Sequence, residues 1–152
     1  MLRLPMAVGA VAALAACATM ASRSPDEVIR ERQALMKEQG AAMRSIQDKL
    51  KAGQVQAVAA DAEKLAATAK RIPSLFPAGS LNPQTSRAKP EIWQRWSDFE
   101  GYARSLETKA TQLAATSRGG DAQATSAAAA ELGKTTCGAC HNAFRGPELK
   151  KT

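Results

Sequence analysis

The pentapeptide Cys137-Gly138-Ala139-Cys140-His141, near the end of a 152-residue chain, limits the fold more than any other stretch. It reads C-x-x-C-H, the spacing at which two thiols add across the vinyl groups of a haem and the next histidine offers an imidazole nitrogen to the iron. The two sulfurs must stand roughly one helical turn apart. Positions i, i+3 and i+4 share a helix face, so Cys137, Cys140 and His141 are predicted to address one macrocycle. His141 is the only histidine and has no rival as the axial imidazole. Other readings of the thiols are weaker. A thioredoxin-like pair belongs in a βαβ setting, which this chain does not suggest. A structural zinc site needs a fourth ligand. The remaining cysteine, Cys17, lies in the N-terminal segment.

The rest of the chain has helical periodicity. Alanine is abundant and aromatics are only 4%. Such a composition favours helices and leaves apolar bulk for a cofactor to supply. Ser24-Pro25-Asp26-Glu27 predicts a helix start, with Ser24 as cap, Pro25 at the first position and Glu27 closing a capping box. A first helix then runs to about Lys51, with Ile29, Met36, Met43 and Leu50 recurring every seven residues and Leu35 and Ile46 alongside. Gly40 interrupts it, at about 1 kcal/mol relative to alanine, and leaves room for another group to approach. Gly53 marks a turn. A second helix, about Gln54 to Arg71, carries Val55, Val58, Ala62, Leu65, Ala69 and Ile72 on one side and ends at Pro73.

Residues 73–89 hold three prolines and read as the one long loop, with Leu75 and Phe76 tucked inward. Pro90-Glu91 opens a third helix along Ile92, Trp96, Phe99, Ala103, Leu106, Ala110 and Leu113. Trp93 and Trp96 read as packing rather than redox relays. Arg118-Gly119-Gly120 is the next turn. Asp121 caps a fourth helix that carries the haem motif, Phe144 one turn later, and a stop at Gly146-Pro147. Short first and third connections make neighbours antiparallel, so the fold class is all-α, an up-and-down four-helix bundle with covalently bound haem.

The N-terminus predicts export. Arg3 precedes a short uncharged apolar run, Met6 to Ala16, of about eleven residues where a span takes about 20. Leu14-Ala15-Ala16-Cys17 matches a lipobox, which would lipidate Cys17. Ala16-Cys17-Ala18 and Thr19-Met20-Ala21 offer ordinary signal-peptidase sites instead. The lipobox is favoured because cysteine is rare in such a region and sits at the required place. The resulting division is a signal peptide over 1–16, a linker over 17–23, a haem domain over 24–147 and a tail over 148–152. The formal charge is +7. The cations are dispersed among carboxylates, with no dense basic tract and no interleaved aromatics, so no nucleic-acid partner is expected.

Taken together, the chain resembles the class II cytochromes c, the cytochrome c′ superfamily, whose C-x-x-C-H lies near the C-terminus of a four-helix chain. The resemblance covers roughly residues 25–147. It is carried by Arg32-Gln33-Ala34-Leu35-Met36, Leu75-Phe76-Pro77, Pro90-Glu91-Ile92-Trp93 and the stretch from Cys137 to Arg145. Leu35-Met36-Lys37-Glu38-Gln39-Gly40 looks most like the low-spin branch, the cytochromes c-556, with histidine and methionine as axial ligands. The resemblance therefore implies one haem c, covalently held by Cys137 and Cys140, with iron bound by His141 and by Met36 as sixth ligand. Methionine on an apolar stripe is more often filler, and Met43 is read that way. The resemblance also implies Arg32 as a partner of the haem propionates, and Arg145 more weakly.

The function expected is a periplasmic c-type cytochrome in one-electron transfer, meeting redox partner proteins as a monomer or homodimer, with a membrane tether through a lipidated Cys17. The alternative is a five-coordinate protein binding nitric oxide or carbon monoxide. No enzyme is expected, because a second histidine for acid–base work is missing.

Overall fold

Ser24 caps the first helix as its sequence predicts. The Ser24 hydroxyl accepts from Glu27 N at 3.3 Å, and the Glu27 carboxylate accepts from Ser24 N at 2.7 Å. This capping box opens α1, Pro25–Lys51, in a computed structural model that describes residues 23–149. The predicted signal segment, the lipobox and Cys17 lie outside the described residues.

Gly53, at φ +70°, turns the chain into a 3-10 turn, Val55–Ala57, and then α2, Val58–Ala69. The second helix is therefore shorter than its periodicity suggests. Ile72 and Leu75 stay buried beyond its end, around the 3-10 turn Pro73–Leu75. The third helix is divided. A short α3, Glu91–Gln94, breaks at Arg95, and α4 runs Trp96–Arg118. Gly120, at φ +77°, makes the next turn. Asp121 then caps α5, Ala122–Leu132, accepting from Ala124 N at 2.8 Å. The fourth helix is also not uniform. A π-helical turn, Gly133–Gly138, joins α5 to α6, Ala139–Phe144.

These pieces form the predicted four-helix bundle. Its core is the expected seams of α2 and α4, Val58, Ala62, Leu65 and Ala69 against Phe99, Ala103, Leu106, Ala110 and Leu113, all buried. The seam of α1 differs from its seven-residue pattern. Leu35, Ala42 and Ile46 enter the core, whereas Met36 and Met43 are only partly buried. The heptad methionines face a cavity instead.

The segment after the haem motif is clamped to the long loop. Lys89 N donates to Phe144 O at 3.0 Å, and Gly146 N donates to Arg87 O at 2.7 Å. The Arg87 side chain returns a bond to Gly146 O at 2.9 Å. This backbone pairing across Ala88 and Arg145 fixes the end of α6 against the loop.

Away from the cavity, Ser45 Oγ and Lys49 Nζ both donate to Asp61 at 2.6 Å, tying α1 to α2. Burial alone would raise the Asp61 carboxyl. The two hydrogen bonds and the charge of Lys49 outweigh it and hold the group below its ordinary range. A carboxyl depressed in the folded state contributes stability that is present above its unfolded pKa and is lost as pH falls through the folded value. Asp61→Asn should therefore cost about 1–2 kcal/mol at neutral pH, and progressively less as pH falls below the ordinary carboxyl value of 3.8. Urea unfolding across the acid range measures this, and a loss that does not change with pH would contradict it.

Candidate haem site

A cavity of about 630 Å³ opens between α1, α4 and the C-terminal tract. This lies within the range of about 300–1,000 Å³ usual for cofactor sites. Its wall explains where the scarce aromatics went. All six join one contact chain. Phe76 meets Phe99 edge-on at 4.7 Å, Phe99 meets Phe144 at 5.5 Å, and Tyr102 meets Phe144 at 6.1 Å. Trp93 and Trp96 extend it at 6.4 Å from Phe76 and 5.5 Å from Phe99. Trp93 Nε1 also donates to Phe76 O at 3.0 Å, which anchors the loop. Both tryptophans are packing groups, as their sequence positions predict.

Cys137, Cys140 and His141 line this cavity together with Met36 and Arg32. One chamber thus gathers these five residues, and Arg145 lines it as well. Cys137 ends up there by way of the π-helical turn rather than a regular α-helix. The hydroxyls of Thr135 and Thr136 donate to Glu131 O at 2.8 Å and Leu132 O at 2.5 Å, supporting the ladder where the turn widens. Such turns are concentrated at functional sites, where they re-aim side chains.

The thiols are free and half-buried. Burial, reinforced by the neighbouring Cys137 sulfur, pushes Cys140 up to about 11, and burial raises Cys137 as well. Redox-active and zinc-binding cysteines need the opposite, a readily formed thiolate. Imidazole ligation needs a neutral ring. His141 meets that need, because burial and then the positive charges of Arg145 and Arg87 lower its pKa.

Arg32 gives the most specific sign of what the cavity accepts. The side chain is 3% exposed. Its Nη2 donates to Ser80 O, and its guanidinium carbon lies 4.7 Å above the Phe76 ring. Nε and Nη1 have no partner. Leaving a buried cation with idle donors costs a few kcal/mol, about 1–3 per group. A ligand that carries carboxylates and a broad apolar body would satisfy both the donors and the wall. Haem, with two propionates on an apolar macrocycle, has that character.

On α1, Gly40 lies one turn beyond Met36 and also lines the cavity. A Cβ there would meet only the Arg44 guanidinium, at 3.5 Å, so the glycine keeps the approach to α1 clear. Met43 lines the cavity too, with its terminal methyl 3.6 Å from the Cβ position of Gly133. Sequence reasoning took Met43 as filler of the protein core. Its seven-residue offset from Met36 was the signal that it shares the cavity face. Tyr102 and Ile72 are further wall residues that the sequence did not single out for this role.

Comparison with known proteins agrees with this geometry. The family model described as Cytochrome C′ matches residues 27–145. Cytochrome c-556 of Agrobacterium tumefaciens (strain II Chrys) is 34% identical over 126 residues, covering 81% of this chain and 98% of that protein. Cytochrome c′ of Rhodopseudomonas palustris (strain ATCC BAA-98 / CGA009) is 32% identical over 122 residues, covering 78% and 82%. The crystal structure of cytochrome c′ from Thermochromatium tepidum superposes with a TM-score of 0.71 at 35% identity, covering 84% of this chain and all, 100%, of that one.

If the idle donors of Arg32 serve an anionic ligand, removing the charge should act in opposite directions with and without it. Arg32→Met should stabilise the haem-free chain by about 1–3 kcal/mol and destabilise the haem-loaded chain by a similar amount. Urea midpoints of the two forms report this. Midpoints that fall together would contradict the assignment.

Proposed function

The chain belongs to the cytochrome c′ family, and on that premise we propose that it is an exported one-electron carrier whose covalent haem c has His141 and Met36 as axial ligands. The observation that carries the proposal is that Met36, on α1, and His141, on α6, line the same cavity as the two cysteines. Similarity to a cytochrome c-556 over most of the chain supports the same reading. The chemistry supplied by bound haem is one-electron exchange between ferric and ferrous iron.

Each residue then has a definite task. Cys137 and Cys140 hold the macrocycle through thioether bonds, so it is retained through repeated encounters. His141 presents a neutral imidazole. Met36 would offer its thioether sulfur to the iron, a donor that favours the ferrous state and so raises the reduction potential. Arg32 would hold a propionate through its two unpartnered nitrogens, with Arg145 a further cation at the cavity. The aromatic wall keeps water from one side of the site. With a single histidine in the chain, no acid–base partner is left for peroxidase-type turnover.

Export fits covalent haem, which bacteria attach outside the cytoplasmic membrane. The proposed location is therefore the periplasm, with Cys17 as the lipid attachment site. One lipid chain alone gives only marginal anchoring, so a tether there needs further acylation.

Ferric protein at neutral pH should be low-spin by absorption and EPR. Met36→Ala should convert it to high-spin and speed carbon monoxide binding to the ferrous form by more than about tenfold. A wild type that is already high-spin, and matches the variant, would reject Met36 as a ligand and favour the gas-binding alternative.

A further inference from the structure

The charges around the cavity are one-sided. Its lining includes Arg32, Lys37, Arg87 and Arg145 and no carboxylate. Arg44, one heptad beyond Lys37, brings its guanidinium against Gly40 at the same wall. Elsewhere on the bundle the cations are largely matched, as in Lys64 with Glu38, Lys70 with Glu107 and Arg118 with Glu63. Arg87 has only the highly exposed Glu148, at 3.9 Å. Lys37, Arg44 and Arg145 have no carboxylate within 4.0 Å among the described residues.

From this asymmetry we propose that the mouth of the cavity is a docking surface for an acidic face of a redox protein. Two haem propionates would answer Arg32 and one neighbour, leaving Lys37, Arg44 and a further arginine to face outward. Unpaired cations around the point of electron exit steer an anionic partner and hold it close, with effects on association rate that salt removes. A protein face suits this surface better than a lipid surface. The cations ring a concave opening, drawn from α1, the long loop and the end of α6. Membrane-surface elements instead pair a basic face with exposed apolar groups that insert. The inference rests on the haem reading of the cavity, but not on which residue is the sixth ligand.

The test uses the haem-loaded ferrous protein and two small oxidants of opposite charge, ferricyanide and tris(phenanthroline)cobalt(III). The ferricyanide rate should fall about tenfold or more between ionic strengths of about 10 and about 300 mM, while the cobalt rate rises. The pair Lys37→Glu and Arg44→Glu should abolish most of that dependence. Lys51→Glu with Arg118→Glu, at the far ends of α1 and α4, changes net charge equally and should leave most of it in place. Poly-L-glutamate should compete with ferricyanide at low salt. A high-spin spectrum would sink the Met36 assignment and leave these slopes intact. Equal slopes for both oxidants, or equal effects of the two variant pairs, would overturn the docking surface whatever the spin state. Inhibition by phosphatidylglycerol vesicles but not by poly-L-glutamate would assign the surface to lipid and overturn it too.

Discussion

An apolar chamber that the protein's own side chains do not fill, with a buried guanidinium on its wall, is the constraint on which the rest depends. Where α2 meets α4, alanines let the helices pack closely around Leu65, Phe99, Leu106 and Leu113. Between α1 and the C-terminal tract the side chains leave a space of about 630 Å³. Side chains that line a space of that size need a ligand for their dispersion contacts. Arg32 adds an electrostatic debt, since Nε and Nη1 are desolvated and unmatched. One flat, apolar dianion removes both deficits, which makes the cofactor a structural component of the fold as well as its chemical one.

The surrounding elements serve that chamber. Aromatic contacts build one wall and lock the long loop to α3 and α4. The backbone bonds from Lys89 to Phe144 and from Gly146 to Arg87 hold α6 in place beyond the histidine. The π-helical turn carries Cys137 into the lining just before α6 begins. The bundle thus supplies rigidity on its α2–α4 side and a shaped site on the other. That division suits a group that must exchange electrons with little movement around it.

Much of this was legible in the chain. The capping box at Ser24, the turn glycines, Asp121 and the seams of α2 and α4 are local signals, and the structure follows them. The C-x-x-C-H spacing and the lone histidine defined the cofactor before any fold was known. Three features escaped. The π-helical turn, Gly133–Gly138, holds Gly133, Thr135, Thr136 and Gly138, poor helix formers that could have signalled it. The break at Arg95 has neither glycine nor proline to announce it. Its neighbours Trp93 and Trp96 are drawn into one aromatic cluster, and Arg95 itself pairs with Asp98 and lies 5.4 Å from the Phe144 ring. The facing of Met43 was misjudged for a different reason. Periodicity detects an apolar face and does not distinguish protein core from cofactor cavity.

The central claim is that this polypeptide closes around an iron porphyrin joined to it by covalent bonds. Intact-mass spectrometry of the exported protein under denaturing conditions, made in a host with working cytochrome maturation, tests it most directly. The account predicts a mature chain heavier by one haem, with the added mass lost when Cys137 and Cys140 are both replaced by serine. A wild-type chain with the bare polypeptide mass under those conditions would contradict it.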